Sequence, residues 1–275
     1  MTSVRALLSA ATALLGAAGI ESARVDAELL LAHSLGVERS RLLLVETVPT
    51  AAESAFATAL ARRVLREPLQ HIVGHAPFRH LEVAVGVGVF VPRPETELLV
   101  DAVLPTLRTL AGATLVDLCA GSGALALAVA DEVPGVRAYA VENAPAALHW
   151  LRRNTADTAV QVVAADVRDP DLLLELRAKV DAVVCNPPYV RTAQSVPPEV
   201  RADPDDAVFA GADGLGLMPA VIARAGQLLR PGGVVAIEHD DTHGVALPRL
   251  LGELGCWRDV TAHRDLAGLP RYVTA

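Results

Sequence analysis

The chain has 275 residues, of which 52% are apolar, 20% charged and 3% aromatic, and its formal net charge is −8. The apolar content excludes a disordered chain, and three cysteines in this length exclude a small disulfide-stabilised scaffold. An acidic chain with few aromatic residues is also a poor candidate for general nucleic-acid binding, which needs a basic surface and aromatic platforms for bases. The length fits one large domain or two smaller ones.

The first 75 residues predict a bundle of short helices. Apolar residues within 4–15 recur at helical spacing, a second helix is expected to end at Gly36, and residues 39–46 predict a further helix. The pattern Thr50–Glu53 is typical of a capping box at the start of the next one. Arg5 and the apolar residues behind it resemble the front of a signal peptide. We nevertheless expect no export, because no cleavage site separates them from the second helix.

Residues 76–92 change character. Valines alternate with other residues from Leu81 to Val89, and glycines stand at positions 86 and 88. Alternation of period two with a glycine turn predicts a β-hairpin. We interpret this hairpin as the link between two domains.

From residue 93 onward, predicted strands alternate with predicted helices, which is typical of a parallel sheet covered by helices. Pro94 suits the first position of a helix. The apolar stretch 111–130 is long enough to span a membrane, but Asp117 and three glycines within it favour a strand, a turn and a helix. Strands are expected at Thr114–Leu118, Val136–Val141, Val160–Ala164, Ala182–Cys185, Val234–Glu238 and near 256–262 and 271–274. Helices are expected at 123–132, 145–154, 171–178, 218–229 and 244–254.

A glycine-rich turn, Asp117–Gly123, lies between a predicted strand and a predicted helix. Gly121 and Gly123 would let the backbone approach a ligand closely, although the turn lacks the full spacing of a dinucleotide site and the lysine of a P-loop. Glu142 and Asp166 end the next two strands, where they could accept hydrogen bonds from ribose hydroxyls and from an adenine amino group. These acids and glycines predict a nucleoside ligand without phosphates, such as S-adenosylmethionine.

The run Asn186–Tyr189 directly follows the fourth predicted strand, at the same edge of the sheet as the acids. The side-chain carbonyl of Asn186 and the backbone carbonyl of Pro187 could accept hydrogen bonds from an NH2 group, and Pro188 has no N–H to compete. Tyr189 offers a flat face for a planar amide or base. Held in this way, a weakly nucleophilic nitrogen would be aimed at a sulfonium methyl group, so the main contribution to catalysis is orientation.

Together these motifs resemble the release-factor glutamine N5-methyltransferases, the HemK/PrmC family, over nearly the whole chain. The run Arg66–Gly74 is similar to the signature that closes the helical N-terminal domain of that family, and Phe90–Glu97 is similar to the entry of its catalytic domain. The turn 117–123 and the run 186–189 then correspond to its cofactor and amide-binding motifs. Asn-Pro-Pro-Tyr alone also occurs in other amino-methylating enzymes, but its combination with Pro-Arg-Pro-Glu-Thr-Glu is a strong identifier.

The resemblance implies a helical substrate-binding domain at 1–75, a β-hairpin linker at 76–92 and a class I, Rossmann-like methyltransferase domain at 93–275. It implies methyl transfer from S-adenosylmethionine to the side-chain amide nitrogen (N5) of the glutamine in the Gly-Gly-Gln motif of peptide chain release factors, which modulates translation termination. The partner would be the release factor and the product S-adenosylhomocysteine, with no metal. The enzyme would be cytoplasmic and monomeric, without stable nucleic-acid binding or membrane association.

The resemblance also implies roles for individual residues. Asn186 and Pro187 would bind the amide, Tyr189 would pack against it, and Pro188 would complete this substrate-binding motif. The cofactor would be held by residues of the glycine turn, the strand ends and the catalytic motif, namely Asp117, Cys119, Ala120, Gly121, Ser122, Gly123, Glu142, Asp166, Val167 and Asn186.

The chain departs from the family pattern at several positions. Cys119 stands where the family often has a glycine, and Glu142 replaces the commoner, shorter aspartate. Arg93 and Glu97 would line or brace the cofactor pocket. The segment 238–241 differs from the glycine-containing continuation often seen in the family, so no role is assigned to its last two aspartates.

Two other classes of function stay open. A nucleic-acid methyltransferase with the same Asn-Pro-Pro-Tyr site predicts a basic recognition region, whereas the first 75 residues hold acids as well as arginines. A non-catalytic nucleotide sensor predicts loss of Asn186 or of the glycine turn, and both are present. His239 and His243 have the spacing of a metal pair, but we interpret them as a loop residue and a helix-start residue, because the methyl transfer needs no metal.

Overall fold

The computed structural model describes residues 2–275, and the chain forms two compact units. The helical unit comprises Met1–His75 together with Val196–Ala202, and the sheet unit comprises Ala76–Ser195 and Asp203–Ala275. The helical unit therefore includes a short segment that lies far along the sequence from its helices.

The described part of the helical unit contains short helices and one small strand pair. Its elements are β1 Thr2–Ser3, α1 Val4–Ala17, α2 Ala23–Leu35, β2 Thr47–Val48, α3 Thr50–Val64 and α4 Leu69–Val73. Gly36 ends α2 in the left-handed conformation, with φ 65°, as its position in the sequence predicts. Residues 39–44 form a 3-10 helix instead of the expected α-helix over 39–46, because Val45 is extended and leads into β2, which pairs with β1.

The predicted capping box at Thr50–Glu53 is wrong. Thr50 is already inside α3, and Pro49 precedes the helix with extended backbone angles, so the threonine hydroxyl makes no cap. The Glu53 carboxylate instead accepts from the hydroxyl of Thr2, at 2.9 Å and 3.0 Å. The pairing of Thr2 with Val48 brings that hydroxyl to the start of α3, a contact that no local pattern contains.

A buried ion pair lies inside the helical unit. Arg63 Nε donates to Asp26 Oδ2 at 2.7 Å, and the two side chains are only 6% and 5% exposed. Glu199, on the segment 196–202, accepts from Arg63 at 2.9 Å and from Arg66 at 2.8 Å. Although burial raises the pKa of Glu199, the hydrogen bonds from Arg66 and Arg63 outweigh it and lower this pKa to about 2. The carboxylates of Asp26 and Glu199 therefore neutralise the arginines at the end of α3.

The sheet unit alternates strands with helices after an initial hairpin. Its strands are β3 His75–Phe78, β4 Leu81–Ala84, β5 Thr114–Leu118, β6 Arg137–Glu142, β7 Gln161–Ala164, β8 Val180–Cys185, β9 Leu229–Glu238, β10 Thr261–Arg264 and β11 Pro270–Thr274. Its helices are α5 Glu97–Leu107, α6 Ala124–Glu132, α7 Pro145–Thr155, α8 Asp205–Val208, α9 Met218–Leu228 and α10 Ala246–Glu253. Pro94 begins a 3-10 turn that continues into α5.

Seven strands form one sheet in the order β10-β11-β9-β8-β5-β6-β7. The strands from β5 to β9 pair in parallel, and β11 and β10 add to β9 in antiparallel fashion. Leu115 faces a core with α5 and α6, whereas Val116 and Leu118 face a second core with α9 and α10. The predicted α/β fold with a parallel sheet covered by helices is confirmed. The strand order reverses at β5, and ligands of open α/β sheets bind beside such a reversal.

The hairpin of the sheet unit turns at a different place from the one predicted. β3 and β4 form a two-stranded sheet, and the chain reverses at Arg79 and His80. Gly86 and Gly88 follow the hairpin, where a Cβ atom would lie 2.5 Å from the Trp150 ring and 2.7 Å from Ala146, respectively. Residues 86–89 do form a turn, in which the N–H of Val89 donates to the carbonyl of Gly86 at 3.3 Å, but this turn follows the hairpin and does not join its strands.

The expected helix at 171–178 is also wrong. Only Leu174–Leu176 form a single 3-10 turn, because Leu173 and Ala178 both have positive φ angles, 52° and 54°. The helix expected at 218–229 is present as α9, Met218–Leu228, and residues 231–233 belong to the long strand β9 that follows it. The stretch 111–130 contains β5, the glycine turn and most of α6, as expected, and no helix among residues 2–275 is long and apolar enough to cross a membrane.

We expect the substitution Asp26→Asn to lower the free energy of unfolding by about 2 kcal/mol. This is less than the 3–5 kcal/mol typical of a broken buried pair, because Glu199 still neutralises Arg63. Urea unfolding followed by circular dichroism measures the loss. The control is Glu253→Gln at the exposed pair Arg249–Glu253, which should cost no more than about 0.5 kcal/mol. Equal effects of the two substitutions would contradict the assigned role of the buried pair.

Candidate active site at the carboxyl edge of the parallel sheet

Five polar side chains stand at the carboxyl ends of the five parallel strands. Asp117 is the penultimate residue of β5, and Glu142 and Glu238 are the last residues of β6 and β9. Asn186 directly follows β8, and Asp166 lies two residues after β7. Parallel strands present their carboxyl ends at one edge, so the topology gathers these groups around the reversal at β5. The sequence predicts four of them as site residues, and Glu238 is not among the four.

The glycine turn after β5 is a left-handed backbone segment. Cys119, Gly121 and Gly123 have φ angles of 61°, 56° and 87°. A non-glycine residue is strained in this region, so Cys119 carries strain that a glycine at the same position would avoid. A Cβ atom added at Gly121 would meet nothing within 4 Å, whereas one at Gly123 would lie 2.6 Å from Leu151 Cδ1. Gly121 therefore borders open space, and Gly123 is needed for packing.

Asp117 is fully buried beneath this turn. One carboxylate oxygen, Oδ2, accepts from the backbone N–H of Ala126 at 3.2 Å. Oδ1 has no hydrogen-bond partner among the described residues, and burial raises the pKa of Asp117 well above its usual value. A buried oxygen without a partner is costly, so this atom is a candidate for contact with a ligand.

The Glu142 carboxylate braces the turn from the neighbouring strand. Oε2 accepts from the backbone N–H of Gly121 at 2.8 Å, and Oε1 accepts from the N–H groups of Asn143 and Ala144 at 2.8 Å each. The carboxylate is thereby fixed in one orientation at the edge of the sheet. A carboxylate has about four lone-pair directions, so it can still accept from ligand hydroxyls.

Asp166 is held in a different way, by exposed partners. Its carboxylate accepts from the Arg168 side chain and backbone and from Asn143 Nδ2, and the hydrogen bond from Arg168 is the main reason that the pKa of Asp166 lies far below its usual value. It is therefore an acceptor at neutral pH. Val167, the next residue, is buried in the core beside α9. The remaining turn residues differ in exposure, since Ser122 is buried and Ala120 is partly exposed.

The catalytic motif after β8 is tied to two other elements. Asn186 Nδ2 donates to the hydroxyl of Thr96 at 3.1 Å, and the Tyr189 hydroxyl donates to Glu238 Oε1 at 2.9 Å. Burial raises the pKa of Glu238 to about 7, and burial together with the Glu238 carboxylate raises the pKa of Tyr189, which keeps its hydroxyl protonated. Of the two prolines between Asn186 and Tyr189, Pro187 is buried and Pro188 is partly exposed.

Two thiols lie next to the glycine turn and the catalytic motif. Leu118 of β5 is aligned with Cys185 of β8, which brings the thiol of Cys185 near that of Cys119. Cys185 is fully buried, which raises the pKa of its thiol. Both cysteines are free, as is the exposed Cys256. The two thiols act as packing groups between neighbouring strand ends.

Arg93 and Glu97 are engaged with protein groups. Arg93 donates to the buried carboxylate of Asp203 at 2.5 Å, and Glu97 accepts from the backbone N–H of Arg79 at 2.9 Å. Burial raises the pKa of Asp203 to about 6. Both residues thus brace the chain on either side of the 3-10 turn that carries Thr96.

The histidines after β9 make backbone contacts. A ring nitrogen of His239 lies 2.8 Å from the carbonyl of Asp240, and one of His243 lies 2.8 Å from the carbonyl of Asp213. The Asp240 carboxylate caps the following turn by accepting from the N–H of Thr242 at 3.0 Å. Among residues 2–275, no group of three or more histidine, cysteine or acidic side chains could hold a metal ion.

Sequence reasoning missed Thr96 and Glu238. Glu238 follows the same strand-end pattern as Glu142, and that signal was available in the sequence. Thr96 lies in the Pro-Arg-Pro-Glu-Thr-Glu run, but nothing local indicates that its hydroxyl meets Asn186, 90 residues away.

Comparison with known proteins covers both units. A family model described as the PrmC N-terminal domain matches residues 6–74, and one described as the methyltransferase small domain matches residues 83–201. A protein named release factor glutamine methyltransferase from Mycolicibacterium smegmatis is 50% identical over 277 residues, which cover 100% of this chain and 98% of the relative. Proteins of the same name are 45% identical in Streptomyces coelicolor, with 100% and 98% coverage, and 44% identical in Mycobacterium tuberculosis, with 99% and 91% coverage.

Solved structures resemble the chain in fold. The hMettl16 catalytic domain, in complex with a MAT2A 3′UTR hairpin, gives a TM-score of 0.55 at 15% identity and covers 78% of this chain and 81% of that one. A 16S rRNA methyltransferase (RsmC) from Thermus thermophilus, in complex with AdoMet and guanosine, gives 0.51 at 23% identity, with 73% and 49% coverage. At these identities the likeness supports the Rossmann-like methyltransferase fold and nothing finer.

We expect Gly123→Ala to destabilise the sheet unit more than Gly121→Ala does. Both place a non-glycine residue at positive φ, which costs about 1–2 kcal/mol. Gly123→Ala additionally drives a Cβ atom into the fully buried Leu151, for a total of about 3 kcal/mol. Urea unfolding of the two variants measures the difference. A loss in Gly121→Ala equal to or larger than that in Gly123→Ala would contradict the packing described here.

Proposed function

Because the chain belongs to the release factor glutamine methyltransferase family, we propose that it transfers a methyl group from S-adenosylmethionine to the side-chain amide nitrogen (N5) of the glutamine in the Gly-Gly-Gln motif of peptide chain release factors. Relatives of that name are 44–50% identical along nearly the full chain. Such transfer places the enzyme in the cytoplasm, where translation ends, and the release factor is its protein partner. We further propose that it works there as a monomer.

The observation that carries the proposal is the orientation of Asn186. Its NH2 group donates to the hydroxyl of Thr96 at 3.1 Å, so its side-chain oxygen is left to accept from another NH2 group. The backbone carbonyl of Pro187 offers a second acceptor, because Pro188 contributes no competing N–H. Two fixed acceptors suit a planar NH2 donor, and Tyr189 supplies a face on which it can pack.

The residues at the carboxyl edge fit the proposed cofactor. The partnerless Oδ1 of Asp117 is an acceptor suited to the ammonium group of the methionine end, and the open space at Gly121 admits close approach of a ligand. Glu142 is fixed where it can accept from ribose hydroxyls, and Asp166 stays ionised where it can accept from an adenine amino group. When bound, S-adenosylmethionine supplies an electrophilic sulfonium methyl group.

In this mechanism the protein acts by orientation. Asn186 and Pro187 hold the hydrogens of the acceptor NH2 group and thereby direct its nitrogen lone pair toward the methyl group. The transfer itself needs no strong base, because the extra proton can leave after the nitrogen has become positively charged. The neutral Tyr189 ring excludes water from one face of the amide.

The proposed activity is tested with purified full-length enzyme, a release factor and methyl-labelled S-adenosylmethionine. Mass spectrometry of the Gly-Gly-Gln peptide should show one added methyl group on the glutamine. The matched control is a release factor in which that glutamine is replaced by alanine, which should remain unlabelled. Labelling of DNA or RNA, with an unlabelled release factor, would contradict the proposal and favour a nucleic-acid methyltransferase.

We expect Asn186→Ala to lower kcat by at least about 100-fold while the Kd for S-adenosylmethionine changes by less than about threefold. The reason is that the amide oxygen orients the acceptor, and the loss of orientation affects the reaction step. Glu142→Gln should show the opposite pattern, with weaker cofactor binding, because the amide cannot accept at both oxygens. Calorimetry gives the Kd, and saturation kinetics give kcat. Near-normal turnover in Asn186→Ala would contradict the role given to this residue.

A further inference from the structure

The hydroxyl of Thr96 stands between the catalytic asparagine and a buried carboxylate. It accepts from Asn186 Nδ2 at 3.1 Å, and it lies near the carboxylate of Glu238, whose pKa it lowers. Thr96 is 4% exposed and Glu238 is 1% exposed, so water does not compete for these contacts. The three groups come from the start of α5 and from the ends of β8 and β9.

The chemistry of these groups leaves one arrangement of hydrogens. An ionised carboxylate accepts only, and the buried Oε2 of Glu238 lacks a donor, so we infer that the single proton of the Thr96 hydroxyl points to Glu238. The hydroxyl oxygen then has lone pairs and no proton to offer Asn186, and only the NH2 end of the asparagine amide can face it. The opposite end, the Oδ1 atom, must consequently face away from Thr96.

The same carboxylate also holds the aromatic residue of the motif. Glu238 Oε1 accepts from the Tyr189 hydroxyl at 2.9 Å. Oε2 is buried without a hydrogen-bond partner among the described residues, and the Thr96 hydroxyl is the neighbouring group with a proton to offer it. One buried acid thus fixes both the ring of Tyr189 and, through Thr96, the amide of Asn186.

Charged neighbours of Glu238 act in opposite directions. Arg271 on β11 favours the ionised form, although its guanidinium is already bound to Asp265 at 3.1 Å. Glu95 disfavours the ionised form, as does burial, which is the largest effect and raises the pKa of Glu238 to about 7. The neighbouring Tyr189 and Cys185 are both neutral, since their own pKa values are raised. Ionisation of Glu238 therefore falls in the range of physiological pH.

We propose that Glu238 and Thr96 are positioning residues for methyl transfer, in which the Glu238 carboxylate directs the Thr96 hydroxyl so that Asn186 presents its oxygen to the acceptor NH2 group. In this role both residues act through Asn186 and Tyr189 and need no contact of their own with the acceptor or the cofactor. The inference rests on the proposed function for its reaction, but the orientation of the asparagine amide is a property of the protein alone.

The first test compares Thr96→Val with Thr96→Ser. Valine has nearly the same shape but no hydroxyl, so Asn186 loses the group that orients it, and kcat should fall by at least about tenfold. Serine keeps the hydroxyl and should retain kcat within about threefold of the original. The Kd for S-adenosylmethionine should stay within about twofold in both variants. Equal kcat values for the valine and serine variants would overturn the proposal. Both variants should fold, because valine matches the volume of threonine and serine removes only one methyl group.

The second test is the pH dependence of kcat at saturating cofactor and release factor. Below about pH 7 Glu238 gains a proton and can donate to Thr96, which reverses the hydroxyl, so kcat should fall as the pH decreases through this range. Glu238→Gln should lower kcat by at least about tenfold at pH 8 and should remove this pH-dependent step. Asp203→Asn is the matched control, because Asp203 is another buried acid with a raised pKa and this variant should keep the step. A step that survives in Glu238→Gln and vanishes in Asp203→Asn would overturn the proposal.

A double-mutant cycle separates the two contacts of Glu238. If Glu238 acts on Asn186 through Thr96, the double variant Thr96→Val/Glu238→Gln should have a kcat no lower than the worse single variant, because both changes break one pathway. Tyr189→Phe removes only the other contact and should lower kcat further when combined with Thr96→Val. Additive losses in the first pair would show that Glu238 does not act through Thr96.

A spectroscopic readout does not depend on the acceptor. The side-chain amide resonances of Asn186, identified by their loss in Asn186→Asp, should shift between the original protein and Thr96→Val, and should titrate with a midpoint near pH 7 unless Glu238 is replaced by glutamine. If release factor is not methylated but these shifts occur, the proposed function fails and the positioning role stands. If methylation occurs and the resonances are indifferent to both substitutions, the positioning role fails alone.

Discussion

The alignment of β5 with its two parallel neighbours is the constraint on which the site depends. Leu118 pairs with Val141 of β6 on one side and with Cys185 of β8 on the other, so three strands end at the same level. This register allows the Glu142 carboxylate to reach the N–H of Gly121 and places Asn186 beside the glycine turn. A slip of one residue in either pairing would turn the strand's side chains to the opposite face, so the two apolar cores also enforce the geometry of the edge.

The buried acid Asp26 of the helical unit is neutralised by an arginine, whereas two of the acids buried in the sheet unit are not. In the helical unit, Asp26 is bound directly to Arg63, which neutralises both charges. In the sheet unit, Asp117 and Glu238 are buried without an arginine or lysine in direct contact, and each has one oxygen left without a clear partner. Burial of this kind costs free energy in folding and raises the pKa, and it persists where the group serves a ligand or a reaction. The Asp26–Arg63 pair leaves neither of its own charges unpaired inside the helical unit. The sheet unit, in contrast, keeps two buried acids at the carboxyl edge of its sheet that lower its folding free energy of stabilisation.

The sequence predicts the structure correctly where a helix, strand or turn is determined by residues close together in the chain. Strand and helix alternation predicted the sheet, and the glycine turn 117–123 with acids at strand ends predicted a shared edge. Errors arose where a distant contact overrides a local pattern, as when Glu53 binds Thr2 and forms no capping box, or when positive φ angles break the expected helix at 171–178. Thr96 was missed for the same reason, because its contact with Asn186 appears only when the start of α5 meets the end of β8. Glu238 was missed although its place at the end of β9 could be predicted from the sequence.

The choice between a protein amide and a nucleic-acid base as acceptor cannot come from the catalytic motif, which suits either planar group. A nucleic-acid methyltransferase would need arginines available for phosphates. In the helical unit most arginines with described contacts are instead bound to carboxylates, in the pairs Arg24–Glu28, Arg39–Glu28, Arg62–Glu67, Arg63–Asp26, Arg63–Glu199 and Arg66–Glu199. A phosphate would have to displace these carboxylates, whose negative charges would stay nearby and weaken its binding. The free-energy cost would be largest at the buried pairs, where a displaced carboxylate would be left without a partner. The net charge of −8 does not show this pairing, which leaves these arginines of the helical unit less available to a phosphate. A protein acceptor, recognised through shape and neutral hydrogen bonds, faces no such competition.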